Sequence, residues 1–259
     1  MSSPVFVMSG VQTGYPDRPV ITGLDLTIPA GQVTCLIGPN GSGKSTLVKT
    51  MCDLLRYEGS LTFEGRELHS WGRRERARKL ALLPQTPVAP PGLTVRQLLA
   101  RGRHPYQSWL AQWSTADDKI TAQVMETTGL GGVADRRIGD LSGGQRQRVW
   151  IAMTMVQNTA TMLLDEPTTY LDLATSVDVL RLVRAQCDEA GRSIVMVLHD
   201  INLAARFADH LVVMRRGGDL AATGAPAEVI TEELLMDVFG LDAVVAADPV
   251  TGGPLVVPR

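Results

Sequence analysis

A short apolar run, Val33 to Ile37, gives way to Gly38-Pro39-Asn40-Gly41-Ser42-Gly43-Lys44-Ser45-Thr46, and a helix-like run follows at once. The spacing fits G-x4-G-K-[ST], in which glycines let consecutive backbone N–H groups turn inward onto an anion. A helix that starts at such a loop adds the positive potential of its N-terminus. Lys44 is placed to span β- and γ-phosphates and Ser45 to ligate Mg²⁺, so the expected ligand is a nucleoside triphosphate seated on residues 38–46. The preceding run is too short for a helix and is bounded like a buried parallel strand. Strand, loop and helix in this order restrict the chain to α/β folds that take ligands at the carboxyl ends of their strands.

Two further runs, Met162 to Leu164 and Ile194 to Leu198, carry the same strand signature. Helical faces alternate with them: Leu47, Val48, Met51, Leu54 and Leu55 after the first strand, then Val177, Leu180, Val183 and Cys187 after the second. The alternation predicts a parallel core sheet. Val5 to Ile28 is β-branched and broken by Gly14, Pro16 and Pro19, and a strand-like pair surrounds Glu64 and Gly65, which predicts a small antiparallel lobe. Between Pro90 and Gln157 strand signals vanish. There Thr115 with Asp118 reads as a capping box ahead of Ile120, Val124 and Met125, with Gly129 as the stop, so an inserted helical lobe is expected. The expected division is residues 1–32 and 57–70 for the antiparallel lobe, 33–56, 71–89 and 158–259 for the core and C-terminal segment, and 90–157 for the helical lobe. Past Gly218 two helical stretches are expected, the second capped by Thr231 ahead of Glu232 and Glu233 and ended by Gly240, followed by a valine-rich tail. The cluster Arg73, Arg74, Arg76 and Arg78 reads as a solvated helix face.

The run ending at Leu164 leads into Asp165-Glu166-Pro167. Successive side chains on a strand point oppositely, so the two carboxylates take different roles: Asp165 holds Mg²⁺ through water, and Glu166 polarises the attacking water as general base. Without the glycine loop, the pair would also read as a helix N-cap. A third element is Leu141-Ser142-Gly143-Gly144-Gln145, followed by the apolar face Val149, Ala152, Met153 and Val156. Ser142 is placed to cap a helix while Gly143 and Gly144 expose N–H groups, which makes a second anion site far along the chain from the first.

With these elements in this order the chain resembles the ABC ATPase family over nearly its whole length. The resemblance implies a RecA-like P-loop NTPase core, α/β with a parallel sheet, joined by a small antiparallel β lobe and an inserted α-helical lobe. It also implies two copies arranged head to tail, Leu141, Ser142, Gly143, Gly144 and Gln145 of each reaching the γ-phosphate of ATP held on the other's glycine loop. Gln85 would sense Mg²⁺ and water, and His199 would contact the γ-phosphate and orient water and Glu166. Tyr15 would stack on adenine, and Asp172, in Thr168-Thr169-Tyr170-Leu171-Asp172, would join the two sites in trans. Taken singly, Gln85 reads as a loop residue, His199 as a cap and Tyr15 as a core aromatic. The family more commonly has a small residue where Tyr170 stands. Each element occurs once, so the chain is one cassette and a second copy supplies the other.

A net charge of −2 and a pI near 6.1 give no basic field of the kind that gathers nucleic acid, which is therefore not an expected partner. Cys35, Cys52 and Cys187 lack metal-ligand spacing and read as reduced core residues. No apolar run reaches the ~18 residues that a membrane span needs, and no leader pattern is visible, so any membrane role comes through a partner. The resemblance supplies one. Ala100 to Pro105, Pro167 to Asp172, Val197 to Arg206 and Asp248 to Pro254 look like importers of ferric siderophores. Importers of haem, cobalamin or other metal chelates are the alternative, and a soluble non-transport ABC ATPase is a more distant one. The importer branch implies membrane permease subunits, an external solute-binding protein and a place at the cytoplasmic face of a bacterial inner membrane. Arg101, Arg103 and His104 are expected to lie near the permease, in a stretch where His104, Tyr106, Trp109 and Trp113 would otherwise simply pack.

Overall fold

The computed structural model describes residues 3–107 and 113–259, so Trp109 lies outside the described residues. The central sheet contains β3 (Val33–Ile37), β6 (Leu80–Leu83), β7 (Thr161–Leu164), β8 (Ser193–Val197), β9 (His210–Met214) and β10 (Leu220–Gly224), in the order β10-β9-β3-β8-β7-β6. All but β10 run parallel, with Cys35 opposite Met196 and Leu163 opposite Val195. β3, β7 and β8 are buried along their whole length, because layers cover both faces. This is why they read as unbroken apolar runs rather than alternating ones. β9 carries the same signature in Leu211 to Met214, and the sequence reading passed over it and its antiparallel neighbour β10.

One face of the sheet is covered by α1 (Lys44–Met51) and by a second, antiparallel sheet, whose order β2-β1-β4-β5 joins β1 (Phe6–Tyr15), β2 (Arg18–Ile28), β4 (Tyr57–Phe63) and β5 (Arg66–Glu67). Leu47, Val48 and Met51 share a core with Phe6, Phe63, Leu163 and Val195, each large side chain contributing about 1.5–3 kcal/mol by leaving water. Leu54 does not join them. The chain leaves α1 through Asp53, at φ 56, and Leu54 is thrown outward, 60% exposed. Glu64 and Gly65, both at positive φ, form the tight turn between β4 and β5, as their pairing with alternating neighbours predicted.

The other face carries α6 (Leu173–Asp188), α7 (Ile201–Phe207) and the helical segment, α3 (Val95–Gly102), α4 (Thr115–Thr127) and α5 (Gly143–Val156). The cap of α4 is one residue earlier than expected: Ser114 accepts from Asp117 N, and Asp117 returns the bond to Ser114 N at 3.0 Å. Both Ser114 and Thr115 stand three residues before an aspartate, so spacing alone could not choose. The choice is made by Arg103, whose Nε donates to buried Asp117 at 2.7 Å, while Asp118 takes the Trp113 indole N–H instead.

Arg103 is therefore not a free surface cation. It is buried, donates also to the Val156 carbonyl, and lies 3.9 Å from the Tyr106 ring, whereas Arg101 and His104 stay exposed. The arginine cluster on α2 (Arg73–Ala77) and just beyond is exposed at Arg73, Arg74 and Arg78, as a solvated face requires, yet three of its members also make contacts. Arg74 and Arg78 both donate to the Pro105 carbonyl, Arg78 also lies 5.6 Å from the centre of the Tyr106 ring, and Arg76 pairs with Asp53. These contacts clasp the helical segment to the core.

After β10 come α8 (Pro226–Val229) and α9 (Glu232–Leu234), the latter capped by Thr231 and continued by a π-helical turn, Leu235–Phe239, that Gly240 ends at φ 64. The valine-rich tail is a hairpin of β11 (Ala243–Ala247) and β12 (Pro254–Pro258). Asn202 on α7 holds it by both amide atoms, through the Val256 N–H and carbonyl. Among the described residues no helix is long and apolar enough to cross a membrane.

Candidate functional site

The sheet order brings together residues far apart in sequence. Adjacent strands β3, β8, β7 and β6 end, respectively, in the glycine loop, in His199, in Asp165 and Glu166, and in Gln85. All emerge at carboxyl ends, where open parallel sheets take ligands. A cleft of about 240 Å³ results, lined by Tyr15, Asn40, Gly41, Gly43 to Thr46, Glu166 and His199.

The loop wraps tightly. Gly38 lies so close to β9 that a Cβ there would stand 2.3 Å from the Met214 carbonyl, so no other residue fits. Gly43, at φ 93, turns the chain into α1. Lys44 is buried, and its ammonium donates to the carbonyls of Gly38 at 2.8 Å and Pro39 at 3.0 Å, near the buried Ser42 hydroxyl. Burial lowers its pKa from the usual lysine range, with Glu166 and Asp165 opposing that shift.

Ser45 donates to Asp165 at 2.8 Å. Asp165 is buried, and that burial lifts its carboxyl above the ordinary range although the Ser45 hydroxyl opposes it. Two hard oxygen donors, one an acid lacking a close cation, fit a Mg²⁺ ion in type and charge. No cluster of three or more His, Cys, Asp or Glu that could hold a metal ion stands among the described residues, here or elsewhere.

Glu166 differs in every respect. At φ 56 it is a non-glycine residue in the left-handed region, a state costing about 1–3 kcal/mol that neighbours must maintain. Its carboxylate receives His199 Nε2 at 2.8 Å, Thr169 Oγ1 at 2.9 Å and the Gln85 side chain. Burial would raise its pKa, but those hydrogen bonds more than offset it and hold the acid below its ordinary value. It is an ionised carboxylate with its oxygens already oriented.

Tyr15 is 43% exposed at the cleft mouth with its hydroxyl against Lys49, which excludes the core-aromatic reading. Arg18, its cross-strand partner, lines the same mouth and was not singled out from sequence. Leu141 is buried, and Ser142 caps α5 with Gln145 in a reciprocal box. Residues 141–145 do not line the cleft. Gly143 opens instead on a separate groove of about 330 Å³ with Gln85, Gln147, Glu166 and Thr169. Asp172 caps α6, its carboxylate accepting from Thr175 N at 2.8 Å, and those bonds hold it below the usual range. Thr169 and Gln147 escaped the sequence reading as site residues. For Thr169 the only sign in the sequence was a hydroxyl three residues after the acid, and Gln147 had none.

Sheet order and loop chemistry together define an α/β nucleoside triphosphatase of the P-loop type. The ABC transporter family profile matches residues 21–169, and the chain belongs to that family, whose members bind ATP and hydrolyse it. It is 48% identical, over 95% of its length and 91% of the relative's, to the achromobactin transport ATP-binding protein of Dickeya dadantii. To the iron(3+)-hydroxamate import ATP-binding protein of Bacillus subtilis it is 45% identical, over 93% and 90% of the two chains. Its fold matches, at TM-score 0.84 and 23% identity over 99% and 98% of the chains, an ABC transporter assigned to the metal-chelate type and solved facing inward.

Proposed function

We propose that this chain is the ATP-hydrolysing subunit of a ferric-siderophore importer, working as a pair at the cytoplasmic face of a bacterial inner membrane. Permease subunits carry the cargo, and an external solute-binding protein delivers it. The observation that carries the motor part of this reading is the separation of two half-sites: Lys44 and Ser45 face one cleft, whereas Gly143 opens on another that shares only Glu166 with it. A single copy offers each half to a different ATP, so closure needs a second copy.

In that closed pair, residues 38–46 hold the phosphates and Tyr15 lies on adenine, while Ser142, Gly143, Gly144 and Gln145 of the other copy face the γ-phosphate, with Leu141 and Asp172 flanking them. The free N–H groups at the start of α5 suit an anion. Lys44, which now bonds the Gly38 and Pro39 carbonyls, exchanges them for phosphate oxygens. Ser45, Asp165 and Gln85 are the residues that would hold Mg²⁺, which supplies charge neutralisation at the β- and γ-phosphates when bound. Glu166 accepts the proton of the attacking water as the water oxygen bonds to γ-phosphorus. The bond to the bridging oxygen breaks, and ADP leaves with that electron pair. His199 orients Glu166 toward the water. Positioning and charge stabilisation supply most of the acceleration in such sites.

The cargo assignment is supported by the relatives, whose names specify achromobactin transport and iron(3+)-hydroxamate import. The test pairs two measurements. Glu166→Gln should abolish turnover and leave an ATP-trapped dimer by light scattering; persistent hydrolysis, or a monomer at saturating ATP, would overturn the motor reading. Cells depleted of the chain should lose uptake of a ferric siderophore and keep haem uptake; the reverse result would move the cargo to haem.

A further inference from the structure

Glu166 occupies an uncommon backbone state directly before a proline, a position where the preceding residue is pushed towards extended conformations. Its turn persists because neighbours hold it. Two holds come from residues without a role in the mechanism above. Thr169 Oγ1 donates to Glu166 Oε2 at 2.9 Å, while His199 occupies Oε1. On α5, Gln147 Nε2 donates to the Pro167 carbonyl at 2.6 Å. Gln147 and Thr169 line the groove onto which Gly143 opens, so the turn carrying the base and the helix carrying the second half-site meet there.

We infer that Thr169 and Gln147 are positioning residues for hydrolysis: Thr169 fixes the plane of the Glu166 carboxylate, and Gln147 ties its turn to α5. The bonds from His199, Thr169 and Gln85 set its orientation together, so Thr169 and Gln85 still hold it when His199 leaves. When His199 turns toward a γ-phosphate, Oε1 is released to the water and Oε2 stays on Thr169. The carboxylate then keeps its aim at the moment it loses a partner. Through Gln147 the position of the turn follows that of α5, so a displacement of the helix reaches the base without passing through the nucleotide. α5 has other anchors, among them Arg148 to Asp178 at 3.1 Å, so removing the Gln147 amide does not by itself detach the helix.

This inference rests on Glu166 being the base, and the assay includes a control for that. Steady-state ATPase of the full-length chain is measured for wild type, Glu166→Gln, Thr169→Val, Thr169→Ser, Gln147→Met and Gln147→Glu, with melting temperature and ATP binding as folding checks. Thr169→Val and Gln147→Met should each lower kcat about 10- to 100-fold, with KM for ATP within about 2-fold, as expected for misaimed rather than missing groups. Thr169→Ser should restore turnover. Gln147→Glu keeps the side-chain size but faces Pro167 with an acceptor, and should lose turnover too, which keeps the test sharp if the methionine variant folds poorly. The two defects together should cost less than their product. Unchanged kcat in both single variants, or a Thr169→Val loss that serine does not restore, overturns the inference. Hydrolysis by Glu166→Gln equal to wild type would instead overturn the assignment of the base itself.

Discussion

Gly144, near the start of α5, lies so close to Thr175 in the first turn of α6 that a Cβ on it would stand 2.9 Å from Thr175 Cγ2. Thr175 cannot rotate away cheaply, since its hydroxyl donates to Asp172 at 3.1 Å. Gly144→Ala should therefore destabilise the fold by about 1–3 kcal/mol, less the ~1 kcal/mol that alanine gains over glycine in a helix. Adding Thr175→Ser removes the methyl and keeps the hydroxyl, so the double variant should recover most of the melting temperature. A double variant no more stable than Gly144→Ala alone would refute the contact.

Arg103 and Asp117 form an ion pair with both side chains buried. Breaking such a pair on one side leaves an uncompensated charge, and Arg103→Leu should cost about 3–5 kcal/mol in chemical denaturation. The double variant Arg103→Leu/Asp117→Leu should be less destabilised than the two single losses added together, because neither charge is then stranded. Simple additivity would show that the pair is not coupled.

Asp165 makes a pH-dependent contribution of defined sign. Burial raises its carboxyl above the ordinary 3.8, Ser45 opposing, so the folded state holds that proton more tightly than the unfolded one. Its contribution to stability falls as pH rises from 3.8 through the raised folded value and stays low at neutral pH. Asp165→Asn should then stabilise the nucleotide-free protein at neutral pH by about 1 kcal/mol, a rise of about 2–4 °C, and should lose Mg²⁺-dependent ATP binding. The stability difference should shrink in acid. Glu166 has the opposite sign: its pKa is lowered, so its contribution is present above the ordinary 4.5 and disappears as pH falls through the folded value.

Tyr15 offers an exposed ring at the cleft mouth. Tyr15→Ala should weaken ATP binding by about 1–3 kcal/mol, and Tyr15→Trp should retain it, as stacking needs only a flat face. Equal affinity in the alanine variant would place adenine elsewhere.

Much of the site was legible because its residues follow buried strands whose apolar runs announce themselves, as at Val33 to Ile37 and Ile194 to Leu198. The glycine loop, Asp165 and Glu166 stand directly beyond such runs. Other features depended on contacts that no local pattern encodes. The α4 cap moved to Ser114 because Arg103, just beyond the end of α3, claimed Asp117. Arg103 itself looked like a surface cation until Tyr106, Asp117 and the Val156 carbonyl closed around it. Leu54 kept the helical spacing of its neighbours, yet Asp53 had already turned the chain. Tyr170, at φ 65 and 101% exposed, shows the same limit, since nothing within one copy says what it meets.

The four adjacent strands that end in the glycine loop, His199, Glu166 and Gln85 act as a ruler. Each residue along a strand advances about 3.3 Å and reverses the side chain's face, so one inserted or deleted residue in β3, β8, β7 or β6 would shift a reactive group by more than a hydrogen-bond length and turn it away. Point substitutions inside those strands disturb packing locally, whereas a change of length there removes function outright. The hairpin of β11 and β12, which carries none of these groups, is free of that arithmetic. Length variation that preserves activity should therefore gather in the C-terminal hairpin and the connecting loops, and an indel scan would trace the catalytic strands as gaps in tolerance.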